Sequence, residues 1–317
     1  MGTPDFAVPS LDILFQSDYN VPCIVTVPDK PAGRGQVIKY SPIKEFAIKN
    51  NLKILQPLNL KDPEFINELK SFHPDLIVVV AFRMLPEVVW KIPPLGTLNL
   101  HASLLPQYRG AAPINWAIIN GERETGVTTF FINQIIDTGN ILLTKKLPVS
   151  EDETAGELHD RLMLAGAGLL LETIDGITEG TIQPVSQNQL VSVNRELKPA
   201  PKIFRQDCRI PWDQSVEKVH NFIRGLSPHP AAFTNLISID GEKQVLKIYK
   251  AKPAESSEIF IINEFPGTIE TDQHKYLNVA CRSGNIALLE VQLEGKRRMS
   301  IQDFLKGFRI SEQWRLS

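Results

Sequence analysis

Residues 95–109 read LGTLNLHASLLPQYR, and this stretch decides the fold class. Leu98 and Leu100 alternate with Asn99 and His101. In an extended strand residues i and i+2 share a face, so two leucines point one way and two polar, hydrogen-bonding side chains the other. The strand breaks over Ser103 to Pro106 and enters a loop at Arg109-Gly110. Open α/β sheets place their ligands at such strand ends. Around this stretch, short apolar runs alternate with helical ones, the pattern of βα units around a parallel sheet. Val21 to Val27 and Leu76 to Ala81 read as strands whose continuous apolar character fits cover on both faces. Asp62 before Pro63 opens a helix through Phe72, with Phe65, Ile66 and Leu69 as its core stripe. Thr154 and Glu157 have capping-box spacing ahead of Leu158, Leu162, Ala165 and Leu169, in a helix ending near Gly176 or Gly180.

From 181 to 203 the sequence turns polar and irregular (TIQPVSQNQLVSVNRELKPAPKI), which reads as a crossing between domains. A first domain over 1–180 and a second over 204–317 follow, in keeping with 317 residues at about 150 per domain. The second begins with a helix, Ser215 to Gly225, whose Val216, Val219, Phe222 and Ile223 fall on one side. Then come five short strands, Ala231 to Ile239, Gln244 to Lys252, Gly267 to Glu270, Tyr276 to Cys281 and Asn285 to Gln292, which suggest a small barrel.

Apolar residues make up 43% and charged ones 22%, an ordinary globular balance. The longest apolar run, Leu76 to Phe82, falls far short of the roughly 18 residues of a membrane span. Met1 to Asp18 carries three Asp and no Lys or Arg, unlike a secretory leader, so the cytoplasm is expected. Cys23, Cys208 and Cys281 are too few and too far apart in sequence to encode a disulfide framework or a metal site. The net charge of −2 divides unevenly: residues 1–197 hold 16 basic and 22 acidic side chains, residues 198–317 hold 18 and 14. The resulting +4 on the second part suits a phosphate-bearing partner and equally suits an uneven surface. No GxSxG, P-loop or HExxH occurs, and Gly33-Arg34-Gly35 and Gly166-Ala167-Gly168 are lone GxG matches, so hydrolase and dinucleotide readings lack support.

A third polar group joins Asn99 and His101 at Ile135-Ile136-Asp137-Thr138-Gly139, where an apolar run stops at a carboxylate and a turn. The trio suits acyl transfer to an amine. Asn99 can donate to a developing oxyanion, His101 can move protons, and Asp137 can orient or charge the imidazole. No side-chain nucleophile is evident, which fits direct attack by a substrate amine. Each of the three is also compatible with a purely structural role, and Asp137-Thr138-Gly139 alone reads as an ordinary turn.

With those residues assembled, the chain resembles the folate-dependent formyltransferases. MGTPDFAVPSL at the start, PDKPAGRG at 28–35, NLHASLLPQYRGAAPINWAI at 99–118, ETGVTTF at 124–130 and IDTGNIL at 136–142 carry the resemblance, which covers essentially the whole chain. It implies a Rossmann-like catalytic domain followed by an OB-like barrel that grips tRNA. It implies Asn99, His101 and Asp137 as the catalytic trio and 10-formyltetrahydrofolate as formyl donor, without a metal. Ser103, Leu104, Leu105 and Pro106 would line the folate site together with Ala81, Phe82 and Met84. The acceptor implied is the α-amine of initiator methionyl-tRNA, with Gly33, Arg34 and Gly35 in a mobile loop and the cluster Lys296, Arg297 and Arg298 as tRNA contacts, in a monomer with no membrane partner. Two departures stand out. The family's apolar first strand ahead of GTPDF is absent, so either upstream residues or another segment would have to fill the sheet's centre. The 80–86 segment (VAFRMLP) differs from the family's usual version, which contains tyrosine and glycine. Competing readings are a formyltransferase for a small amine, which would need neither the PAGRG loop nor a basic barrel, and a non-catalytic RNA- or folate-binding protein.

Overall fold

In the computed structural model of the chain, the Asn99 stretch forms a strand over Thr97–His101 and then a turn, as its alternation requires. The structure describes residues 1–32, 37–191, 196–238, 240–254, 265–310 and 314–317. Two units emerge, and neither is a single run of sequence. The first holds Met1–Pro113, Glu124–Pro148 and His159–Ala200; the second holds Ile114–Arg123, Val149–Leu158 and Pro201–Ser317.

The first unit carries strands β1 (Ile24–Val25), β2 (Lys30–Ala32), β3 (Val37–Lys39), β4 (Ile54–Leu55), β5 (Ile77–Val80), β6 (Thr97–His101), β7 (Glu124–Phe131) and β8 (Ile141–Pro148). β1 pairs with β4 and β5 with β6, both in parallel, while β7 and β8 extend the second sheet antiparallel. The fold is thus mixed α/β, parallel at its centre and antiparallel at one edge. Helix Pro63–Ser71 starts where Asp62 accepts a hydrogen bond from the Glu64 amide at 3.0 Å, and it buries Phe65 and Leu69. Leu98 and Leu100 are buried opposite Asn99 and His101, each burial stabilising by about 1.5–3 kcal/mol. The helix carrying Gly166 packs over that apolar face. A Cβ on Gly166 would stand 2.8 Å from a Leu100 methyl, so any larger residue there would have to displace the Leu100 side chain.

The expected gap at the sheet's centre is spanned by two residues. The Met1 amine donates to the Val78 carbonyl at 2.6 Å, the Val80 amide to Met1 O at 2.9 Å, and the Gly2 amide to Val25 O at 3.1 Å. Met1-Gly2 therefore stitches β1 to β5, and burial pushes the amine's pKa down to about 6. Beside it lies a cavity of about 560 Å³ lined by Met1, Cys23, Val25, Val78 and Ile174 among others.

The second unit carries β9 (Ala232–Ile237), β10 (Lys243–Pro253), β11 (Ile269–Thr271), β12 (Leu277–Cys281), β13 (Gly284–Leu293), β14 (Met299–Ser300) and β15 (Arg315–Leu316). The antiparallel order is β11-β12-β13-β10-β9-β15, with β14 on β13. A bridge between Thr268 and Arg315 joins the two ends, so the sheet is nearly closed. Its core unites Leu246, Ile248, Val279, Ile286 and Val291 with Val219, Ile223 and Leu226 of helix Val216–Leu226, which Ser215 caps by accepting from the Lys218 amide. Arg224 of this helix is buried and donates to the carbonyls of Ser150 and Glu153 and to Asn221 Oδ1, tying the 149–158 segment into the unit.

Candidate active site

The site is built at the C-terminal end of β6. Asn99 pairs in register with Val79 and Phe130, and His101 with Thr128. His101 is only 8% exposed. Its Nε2 lies 2.8 Å from the carbonyl oxygen of Tyr108. A carbonyl only accepts, so Nε2 carries the proton and the neutral ring's lone pair sits on Nδ1. That nitrogen is 3.9 Å from Asp137 Oδ2. The same oxygen accepts the Gly110 amide at 2.9 Å. His101 is thereby held as a base whose free nitrogen faces a carboxylate able to receive its positive form. Asn99 is half-buried, and among the described residues no protein group engages its amide, which stays available to a ligand.

Three backbone features fix these groups. Tyr108 and Asp137 both sit at positive φ, 59° and 54°, which is costly for non-glycine residues and persists only where the surroundings hold it. For Tyr108 that support comes from the 196–200 segment: its amide donates to Lys198 O at 2.7 Å, and the Ala200 amide donates to Arg109 O at 2.8 Å. The Gln107 side chain clasps the same segment through Lys198 N and Glu196 O. On the Asp137 side, Gly139 approaches β7 so closely that a Cβ would fall 1.6 Å from Phe131 O.

The residues read as folate contacts divide into framework and surface. Ser103 is fully buried; its hydroxyl donates to Gln107 O at 2.7 Å and its carbonyl accepts from Thr128 Oγ1 at 2.7 Å. Leu105 packs with Phe130 and Ile141, and its amide donates to the Thr128 hydroxyl. Leu104 and Pro106 are half-buried and present apolar surface. Phe82 is half-buried and Met84 is 74% exposed. Among the described residues, no backbone–backbone hydrogen bond outside the sheet ladder involves residues 82–84. An open main-chain edge flanked by apolar side chains fits a flat ring bearing amide donors and acceptors, as a folate pterin does. Arg83 is turned away, its guanidinium donating to the Pro57 and Leu58 carbonyls.

Of the residues read as tRNA contacts, Gly33, Arg34 and Gly35 lie outside the described residues. Lys296, Arg297 and Arg298 are exposed on the turn after β13. Arg298 is already engaged, 2.6 Å from Glu290 and 4.2 Å from the Tyr249 ring centroid. A register shift at Tyr249 also changes the face of β10. Leu246, Ile248 and Ala251 are buried, and the bulge puts Lys247 on the outer side with Lys250 and Lys252.

Sequence reasoning missed Gln187, the Tyr108 carbonyl and the Thr128 hydroxyl. A single amide, carbonyl or hydroxyl has no periodicity, and the 181–203 stretch read as a crossing because it lacks any.

Comparison with known proteins identifies the family. Residues 1–174 match the family model described as formyl transferase, and residues 202–309 match that of the formyl transferase C-terminal domain. The chain belongs to the formyl transferase family. It is 51% identical over 318 residues to the methionyl-tRNA formyltransferase of Bacteroides thetaiotaomicron, covering 100% of this chain and 97% of that protein. It is 53% identical over 314 residues to the enzyme of the same name from Phocaeicola vulgatus, covering 98% and 95%. Among solved structures it resembles the N-formyltransferase of Helicobacter canadensis in complex with folinic acid and dTDP-3-aminofucose, with TM-score 0.63, 21% identity, and 90% and 96% of the two chains covered. The sugar 3N-formyl transferase WlaRD is similar in fold, with TM-score 0.61, 23% identity, and 93% and 97% covered.

Proposed function

We propose that this chain transfers a formyl group from 10-formyltetrahydrofolate to the α-amine of methionine esterified to initiator tRNA, acting as a cytoplasmic monomer. Among the described residues no helix is long and apolar enough to cross a membrane. The observation that carries the reading is the His101 Nδ1 lone pair facing Asp137 beside an uncommitted Asn99 amide. The bound folate supplies an activated formyl carbon. The chain's own residues do the rest. Asn99 donates to the oxygen on which charge develops as the amine attacks, a contribution of about 10²–10³ in rate for one such donor. His101 Nδ1 takes the proton that the amine sheds, worth about 10²–10⁴, the Asp137 carboxylate stabilises the imidazolium, and the proton passes to the folate nitrogen as its bond to the formyl carbon breaks and tetrahydrofolate leaves. Leu104, Pro106, Phe82 and Met84, with the main chain of 81–84, would hold the folate, while Ser103 and Leu105 shape that wall from behind.

In this reading the catalytic domain expected over 1–180 is the first unit, which also takes in residues 181–200, and the OB-like domain for tRNA expected over 204–317 lies in the second. The substrate assignment rests on full-length similarity at about half identity to proteins named methionyl-tRNA formyltransferase and on the cationic outer face of β10 and the 296–298 turn. The test is to incubate the protein with 10-formyltetrahydrofolate and, in parallel, methionyl-tRNA or an amino-sugar nucleotide, and to identify the formylated amine by mass spectrometry. Formylmethionine after mild hydrolysis of the tRNA ester is expected. Formylation of the amino sugar alone, or of neither, would contradict the assignment.

A further inference from the structure

Gln187 lies in the stretch 181–203, in a short helix, Gln187–Leu190, with no catalytic residue of its own. It is nonetheless only 1% exposed, unusual for a glutamine. Every hydrogen-bonding capacity of its amide is used. Nε2 donates to the carbonyls of Asp137 at 2.9 Å and Gly139 at 2.8 Å. Oε1 accepts from Arg109 Nε at 3.0 Å and Nη2 at 2.6 Å. One side chain therefore binds both loops that make the site. The carbonyl of Asp137 itself, whose φ of 54° needs external support, is one of its two acceptors.

The chemistry of the clamp matters as much as its position. Burial lowers the Arg109 pKa while the charge of Asp137 raises it, so the guanidinium and the carboxylate feel one another. Gln187 supplies Arg109 with a neutral acceptor. The Asp137 carboxylate is thus spared a guanidinium fork, and its Oδ2 points at the Gly110 amide and His101 Nδ1. A glutamate at this position would accept from Arg109 but could not donate to the two carbonyls, and it would place a second negative charge against Asp137.

The geometry points to Gln187 as a positioning residue for formyl transfer: it fixes the Asp137 carboxylate against His101, so that the imidazolium formed during transfer meets a placed counter-charge. This inference rests on the catalytic reading of Asp137 and His101. The decisive experiment is a double-mutant cycle. Gln187→Met keeps the volume without the hydrogen bonds, Gln187→Glu keeps the acceptor without the donors, and each is made in the native protein and with Asp137→Asn. Thermal unfolding monitors each fold, and kcat, KM and the pH profile are measured with 10-formyltetrahydrofolate and methionyl-tRNA.

A misplaced group costs about 10²-fold, so we expect kcat to fall by about that factor in either Gln187 variant, with KM for both substrates changed less than about threefold. With Asp137→Asn, the Gln187 substitutions should cost almost nothing further. An equal loss in both backgrounds, or native kcat and pH profile in a folded Gln187→Met, would overturn the inference. Native activity of Asp137→Asn alone would instead strike the underlying site reading.

Discussion

The barrel of the second unit and the loop cluster of the first reach order by different means. In β9 the faces alternate strictly, and the buried residues Leu236, Leu246, Ile248 and Val291 of β9, β10 and β13 converge in one core. Around His101 the order comes from single bonds between segments far apart in sequence: Tyr108 to Lys198, Gly110 to Asp137, Gln187 to Asp137 and Gly139. A barrel that depends on many equivalent contacts tolerates the loss of one side chain with a local cost. A cluster held by a few unlike bonds loses its geometry when one is cut.

The largest expected effect breaks the cluster chemically and leaves the barrel untouched. Asn99→Ala and Asp137→Ala should lower kcat by about 10²–10⁴ while thermal unfolding moves by only a few degrees, read from formyl-transfer kinetics and calorimetry. Next comes a steric break. Gly139→Ala sets a Cβ 1.6 Å from Phe131 O and should cost about 1–3 kcal/mol in chemical denaturation, with activity falling as well because Asp137 is two residues away.

In the second unit the counterpart is Arg224, a buried cation serving Ser150, Glu153 and Asn221. Arg224→Met should destabilise by about 3 kcal/mol, because three acceptors lose a charged donor. Its neighbour His220 gives a gentler effect. Burial first, and the Arg224 charge second, hold its pKa below the ordinary value, outweighing the attraction of Asp152 and Glu151. The unfolded chain binds a proton near pH 6.5 that the folded chain resists, so the stability this histidine contributes is present above that pH and is lost as pH falls through it. Melting temperature should therefore decline from pH 7 to pH 5, and less steeply in His220→Gln.

The smallest effect probes the cationic surface. Replacing Lys296 and Arg297 by Ala should flatten the slope of log affinity for tRNA against log salt by about 0.7–0.9 for each phosphate contact removed. Arg298→Ala should change it less, since Arg298 is committed to Glu290 and Tyr249. Equal effects from all three would show that the Glu290 pair opens on binding.

What the sequence disclosed follows the same division. The Asp62 and Thr154 caps, five of the second unit's strands and the shared face of Asn99 and His101 were legible because each is a local pattern. The antiparallel addition of β7 and β8, the joining of Thr268 to Arg315 and the bulge at Tyr249 were not, because they depend on which distant edge a strand meets. Least legible was the role of residues 187–200. Their polar, aperiodic sequence reads as a connection, yet it supplies the amide and the backbone groups that hold the two loops of the candidate site.

In the proposed reaction His101 acts as the base for transfer of a formyl group to an amine. The most direct test of this role is single-turnover formylation of methionyl-tRNA at saturating 10-formyltetrahydrofolate, comparing the native chain with His101→Ala at matched folded concentration. The native chain should yield formylmethionyl-tRNA, and His101→Ala should do so at a rate lower by about 10²–10⁴. An undiminished rate in the variant would contradict it.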